Sequence, residues 1–391
     1  MRVVRIITRL NIGGPSIQAA ELSSRLRLRG VETVLVHGQV AGGEGDMRYL
    51  LQSDVDSRHV PALRRRLSPA YDAAAFYRIL AILREVQPHI VHTHMAKAGT
   101  LGRLAAGVYN RTTDRAAPAR VVHTYHGHVL EGYFNSGTAR FFTWTERQLA
   151  RITDAIIAIS PRIRAELVDE FHVGRPDQYR VVPLGFDLAE LNAIADRDRG
   201  EARRAFGVPD EARVVTTVGR LTAIKQHRLF LDVARRVARD NPRALFLIAG
   251  DGELRADLEA YARELELGER VRFLGWRRDL ATLYAATDVF LLTSRNEGTP
   301  VALIESLAAG VPGVSTDVGG VRDVIDSDEV GLLAPPGDAE ALARQVSALL
   351  ADPDRARRMG ARGRETTVAR YRIERLVDDI AALYRELVGA V

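Results

Sequence analysis

The stretch RVVTTVGRLTAIKQHRLFLDVARRVARDNPRALFLIAGDG, residues 213–252, decides the reading of the fold. It opens with a β-branched apolar run, RVVTTVGR (213–220), and closes with another, ALFLIAGDG (244–252). Neither run shows the strict apolar–polar alternation of a half-solvated strand. Between them Leu229, Val233, Ala234 and Val237 recur near one face of a helix. Buried strand, one-faced helix and buried strand make a βαβ unit, and near-continuous apolar strands belong to parallel sheets covered on both faces.

The same alternation extends in both directions. Upstream, residues 3–10, 33–38, 89–94, 120–127, 155–160 and 179–185 read as strands. Downstream, 270–276, 288–294, 311–317 and 331–336 continue the series. The polar stretch between the two series, near residues 187–210, carries no strand signal and is the expected domain boundary. The expectation is an α/β chain of two Rossmann-like, doubly wound parallel-sheet domains in tandem, over 1–190 and 205–370, with helical segments to the end. Ligands of such sheets bind beyond the carboxyl ends of the strands, so two domains facing each other would enclose a cleft.

Composition fits a soluble globular protein with a sizeable core. The chain has 391 residues, 46% hydrophobic and 27% charged, enough for two or three ordinary domains. No cysteine is present, which excludes disulfides, thiolate metal sites and cysteine nucleophiles. MRVVRIITRL passes directly into a strand and reads as no signal peptide; no run reaches the roughly 18 apolar residues of a spanning helix. A cytoplasmic location is expected. The net charge of +5 is a mild excess. It suits phosphorylated ligands or an anionic membrane face, and is too dispersed to argue for nucleic acid. The clearest basic run, Arg64–Arg66 beside Leu67, is either a solvated loop or a peripheral contact with the inner face of the membrane.

Every unusual string falls at the carboxyl end of a predicted strand. NIGGPSIQ places Gly13 and Gly14 before a helix starting at Pro15 or Ser16, a turn whose N–H groups can approach an anion. No GxGxxG or GxxxxGK[ST] occurs, so neither a dinucleotide fingerprint nor a Walker loop is supported. HTHMAKAGTLGR and HTYHGHVLEGYF carry His92, His94, Lys97, His123, His126 and His128. His92 and His94 should share one strand face. A metal site, substrate contacts and histidines bonded within the core all fit these strings; no Asp stands at ligand spacing, and no metal is expected.

GRLTAIKQH (219–227) sets Arg220 and Lys225 around a strand-to-helix turn, where two cations suit a diphosphate. Lys225 is one of two lysines, with Lys97, among 55 basic residues. SRNEGTPVALIESLAAG (294–310) ends a strand, passes Glu297 and Gly298, and begins a helix near Pro300. The open N–H groups of that helix suit a phosphate. Glu305 is a carboxylate inside an apolar helix, and sugar or ribose hydroxyls are good partners for it.

Together these strings resemble the retaining GT4 glycosyltransferases of the GT-B fold. The resemblance rests on Glu297 and Glu305 separated by seven residues, GRLxxxK with Arg220 and Lys225, AGDGELR (249–255), FLGW (273–276) and the Gly13-Gly14 turn. The two histidine strings are similar to a bacterial branch linked to surface-polysaccharide synthesis. The resemblance implies that Arg220 and Lys225 bind the donor diphosphate and Glu305 the ribose. It implies that Glu297, with the N–H groups of Gly298, Thr299 and Val301 around Pro300, holds the donor sugar. Gly275 and Trp276 would lie near the base, and Gly13 and Gly14 would let the first domain close over the diphosphate. His126 would face the donor sugar. His94, Lys97 and His128 become acceptor-side candidates, and a final helix over 371–391 would pack back on the first domain. The reaction so implied moves a sugar from a nucleotide diphosphate sugar, such as a UDP-sugar, to a sugar or lipid-linked glycan, with no cofactor required. Rival readings are a nucleotide-sugar epimerase of the same architecture and a non-catalytic nucleotide-sugar binding protein.

Overall fold

The structure is a computed structural model. It describes all residues except 12, 41–45, 52–54, 115–116, 128–135, 197–198 and 390–391. The chain forms two compact units, Met1–Phe186 with Ile373–Val391, and Asp187–Arg372.

In the first unit seven parallel strands form one sheet: β1 (Arg2–Ile7), β2 (Glu32–His37), β3 (Asp56–His59), β4 (Ile90–His94), β5 (Arg120–Tyr125), β6 (Ala155–Ala158) and β7 (Tyr179–Val181). Their order is β3-β2-β1-β4-β5-β6-β7. Five of the six residues of β1 are buried, as a strand covered on both faces requires. Asp56–His59, sequence DSRH, is a strand that hydrophobic patterning misses, because it lies at the sheet edge and three of its four residues are exposed.

The second unit holds β8 (Arg213–Val218), β9 (Ala244–Ala249), β10 (Val271–Gly275), β11 (Val289–Leu292), β12 (Gly313–Thr316) and β13 (Gly331–Ala334), ordered β10-β9-β8-β11-β12-β13. All pairs are parallel. In each sheet the chain winds outward from its first strand, returns, and continues on the other side. The order therefore reverses between β1 and β4 in one sheet and between β8 and β11 in the other. A doubly wound sheet opens a crevice at that switch point.

Residues 187–210, read from the sequence as the boundary, belong to the second unit and include the helices Ala189–Asn192 and Arg199–Ala205. The last helix, Ile373–Val388, belongs to the first unit. Leu376, Val377, Ile380, Leu383 and Tyr384 are buried against Val3, Leu22, Val122 and Ile157. Each such apolar side chain contributes about 1.5–3 kcal/mol. Arg375 ties this helix to the carbonyls of Pro183 and Leu184 at 2.8 and 2.7 Å.

Candidate active site

The second unit brings two of the sequence strings together at its switch point. After β8 the chain turns through a short 3₁₀ helix, Ala223–Lys225, into the helix His227–Asp240. After β11 it runs through Asn296–Pro300 into the helix Val301–Ala308. The loops are stitched by Arg295 N–H donating to the Ile224 carbonyl at 2.8 Å. Thr293 Oγ1 lies 3.2 Å from the carbonyls of Lys225 and Gln226. This places Lys225 Nζ 2.6 Å from Glu297 Oε1. Ser294 Oγ donates to the same oxygen at 2.6 Å. The Glu297 side chain is 8% exposed and the Lys225 side chain 27%. The lysine thus holds the carboxylate from the open side while the serine holds it from within. Arg220 is exposed, at the rim of the same turn.

Glu305 is partly buried in the second turn of the Val301–Ala308 helix. Burial pushes its carboxyl up to about 7, offset in part by the Tyr284 hydroxyl 3.3 Å away. Tyr284, which the sequence strings do not mark, is buried and also reaches the Ala302 carbonyl at 3.1 Å. One expectation needs correction. The Val301 N–H already donates to the Thr299 carbonyl at 2.9 Å, because the chain tightens at Pro300 before the helix begins.

Glycines bring the loops into contact. A Cβ on Gly250 would overlap the Gly219 carbonyl oxygen, and one on Gly252 would lie 2.6 Å from the Leu221 carbonyl oxygen. AGDGELR is therefore the floor on which GRL rests. Gly319 and Gly320 do the same for the other loop: a Cβ on either would overlap the carbonyl oxygen of Glu297 or Gly298. The Gly320 N–H donates to the Glu297 carbonyl at 2.8 Å. This second pair is a site element that sequence reading missed; its signal is a Gly-Gly separated by two residues from the end of β12. Gly275 has φ 67°, bonds Gly250 N–H through its carbonyl at 2.8 Å, and precedes the exposed Trp276.

In the first unit Gly13, φ 151°, caps the helix Gly14–Arg25, which starts slightly before the expected Pro15. Behind this turn Ser16 Oγ and both amide atoms of Gln18 are buried without a partner among the described residues. Across the switch point, His92 and His94 do share a face, with rings stacked at 4.3 Å. His92 Nδ1 lies 2.6 Å from the Tyr384 hydroxyl and its Nε2 lies 2.7 Å from Thr124 Oγ1. His94 Nδ1 lies 3.0 Å from His126 Nε2, and Arg5 Nη1 lies 3.3 Å from His94 Nε2. Burial, reinforced by the Arg5 charge, lowers His126 to about 3.

The remaining members of the two strings serve packing. His123 turns to the opposite face and meets Thr93 Oγ1 at 2.8 Å. Gly99 and Gly102 let the helix Ala96–Thr112 lie against the sheet, since a Cβ at either would come within 2.6 Å of His123 or Thr93. Arg103 is fully buried and pairs with Glu146 at 2.6 Å. Lys97, expected on the acceptor side, instead donates to Asp72 at 2.6 Å and to the Arg66 carbonyl, with its side chain only 8% exposed. That ammonium joins the Ala96–Thr112 helix to Pro69–Val86. His128 lies outside the described residues. Among the described residues no group of three or more His, Asp or Glu is arranged to hold a metal ion.

Comparison with known proteins agrees with this geometry. Residues 198–366 match the family described as Glycosyl transferases group 1, and residues 12–190 match Glycosyltransferase Family 4. The UDP-Gal:alpha-D-GlcNAc-diphosphoundecaprenol alpha-1,3-galactosyltransferase of Escherichia coli is 30% identical over 350 residues, 88% of this chain and 87% of that protein. A D-inositol 3-phosphate glycosyltransferase of Geodermatophilus obscurus is 29% identical, covering 95% of this chain and 84% of its own. Among solved structures, Anabaena HepE in complex with UDP has a TM-score of 0.81 at 19% identity, over 99% of this chain and 100% of that one. Sucrose-phosphate synthase from Thermosynechococcus elongatus has a TM-score of 0.78 at 23% identity, over the whole of both chains. These likenesses show the GT-B fold. With both sheets matched and a relative at 30% identity over most of its length, the chain belongs to glycosyltransferase family 4 and is an enzyme that transfers glycosyl groups.

Proposed function

We propose that the protein is a retaining hexosyltransferase that moves a sugar from a UDP-sugar to a hydroxyl of a sugar or lipid-linked glycan. The observation that carries this reading is the 2.6 Å pair between Lys225 and Glu297 at the switch point of the second sheet. It joins a cation suited to a diphosphate to a carboxylate suited to sugar hydroxyls. The choice of uridine and of a lipid-linked acceptor draws support from the name of the E. coli relative and from the UDP held by HepE.

Departure of UDP leaves growing negative charge on a phosphate oxygen. Arg220 and Lys225 stabilise that charge, with the N–H groups of Gly298 and Thr299 at the neighbouring turn, so this reading assigns no step to a metal. The sugar becomes oxocarbenium-like as the bond breaks. Glu297, already accepting from Lys225 and Ser294, is a positioning group for sugar hydroxyls rather than a nucleophile. The acceptor hydroxyl attacks on the face that UDP leaves, and a diphosphate oxygen takes its proton, which retains the configuration. Glu305 holds the ribose and Gly275–Trp276 flank the base. Gly13, Gly14 and the His94–His126 pair serve the first unit's part of the reaction.

The run Arg64–Arg66 is exposed beside Leu67, which is 73% exposed, and we assign it a peripheral contact with an anionic membrane. No helix among the described residues is long and apolar enough to cross a membrane. Liposome partitioning should fall when the three arginines are neutralised; unchanged partitioning removes this part. The reaction itself is tested by UDP release. It should require an acceptor sugar or glycolipid, and Glu297→Ala should abolish it. Release at the same rate without acceptor, or in the variant, would count against transfer.

A further inference from the structure

Arg5 is the most unusual charge in the molecule. It sits in β1 with 0% exposure, and no carboxylate pairs with it among the described residues. The register sets it opposite His92, so both point to the face covered by the last helix. Its partners are His94 Nε2 at 3.3 Å and the Tyr384 hydroxyl at 3.2 Å. A buried cation held by an imidazole and a phenol gives an unusually definite proton arrangement.

A guanidinium only donates. His94 Nε2 must therefore accept, and the His94 proton sits on Nδ1. That nitrogen lies 3.0 Å from His126 Nε2, which must accept in turn. The His126 proton is then on Nδ1. This atom is buried without a partner among the described residues. The next residue, Gly127, has φ 121° and open space where a Cβ would stand. A second branch is compatible with the same arrangement. Tyr384 accepts from Arg5, which leaves its O–H to donate to His92 Nδ1; in that arrangement His92 donates through Nε2 to Thr124. Burial and the Arg5 charge lower His92, His94 and His126, which keeps these rings neutral near pH 7.

We infer that Arg5, acting through His94, locks His126 as a neutral Nδ1–H donor to an oxygen of the bound sugar. This rests on the reading of His126 as a residue that faces substrate. The reason for such a lock is electrostatic. An imidazolium beside an oxocarbenium-like centre would repel the developing charge, and the other tautomer would present no proton at Nδ1. Arg5 and His94 are positioning residues; of these three groups only His126 touches substrate.

Long-range ¹H–¹⁵N spectra of the full chain, with rings assigned by His94→Asn and His126→Asn, read the tautomers directly. Both rings should be Nδ1–H at neutral pH. An Nε2–H form or a charged ring at either position overturns the lock. Addition of UDP-glucose or UDP-galactose should shift the His126 Nδ1 signal; binding shown by calorimetry with no such shift overturns the contact with substrate. Absence of any binding would count against the proposed donor, while the tautomers would still decide the lock. Arg5→Met should mix the His126 tautomers and lower kcat about 10-fold or more, with KM for donor within about 2-fold. Tyr384→Phe leaves the Arg5–His94 bond possible and should preserve the His126 tautomer even where Arg5→Met folds poorly. Loss of the Nδ1–H form in Tyr384→Phe, or normal turnover in a folded Arg5→Met, contradicts the assignment.

Discussion

Lys225 meets Glu297 with a compact point charge on a flexible stem, packed along Gly219 where a Cβ would lie 3.7 Å from its Cε. An arginine carries a wider planar fork in place of that point charge and would meet Glu297 Oε1 in a different geometry. Lys225→Arg should therefore keep the charge and lose turnover by about 10-fold or more, about 1.4 kcal/mol of barrier. Steady-state UDP release measures this, and near-normal kcat would make the lysine an accident of composition. Glu305 supplies a second residue-scale prediction. With its carboxyl raised to about 7, it is largely protonated below that pH. Ribose hydroxyls donate best to the ionised form, so UDP affinity should strengthen between pH 6 and 8. Calorimetry across that range should show the trend in the wild type and not in Glu305→Gln; the same slope in both would assign it elsewhere.

At the scale of elements, the site depends on turns whose backbones touch. Gly319→Ala would push a methyl into the Glu297 carbonyl oxygen, at a residue with φ 51°. Its cost should be about 1–3 kcal/mol, read as a lower urea midpoint together with weaker UDP binding. Unchanged values for both would show that the loop moves aside freely. This close contact also explains what was legible beforehand. Apolar strands and the cations and carboxylates after them stand out, because burial and ligand chemistry restrict residue type locally. Asp56–His59 does not, since an exposed edge strand needs no apolar pattern. Tyr284 and Gly319-Gly320 act on residues distant in sequence, and no local spacing announces them. Within HTHMAKAGTLGR, strand alternation sends His92 and His94 to one face and Thr93 to the other. Only the fold shows that Lys97 is enclosed by Asp72 and Arg66.

For the whole molecule, two sheets of the same winding each gather chemistry at the point where strand order reverses, and the last helix completes the first unit. Stability should depend on pH through the buried histidines. His92, His94, His123 and His126 are all lowered, His126 from 6.5 to about 3. Above pH 6.5 these rings are neutral folded or unfolded, and their contribution is fully present. As pH falls below 6.5 only the unfolded chain takes up protons, so stability declines toward the folded values. Each ring contributes up to about 1.4 kcal/mol per pH unit in that window. Glu305, raised from 4.5 to about 7, acts in the opposite direction, but it is one group against these four and the likewise lowered His37 and His227. Urea midpoints should therefore fall from pH 7 to pH 5; a rise would show that the histidines are not held neutral.

The central claim, that the Lys225–Glu297 pair marks a nucleotide-sugar site, is tested most directly by calorimetric titration of the full chain with UDP-, GDP-, ADP- and dTDP-sugars. The account predicts binding of a UDP-sugar by the wild type, weakened about 10-fold or more in Lys225→Gln. Binding of none of the four, or equal affinity in the variant, would contradict it.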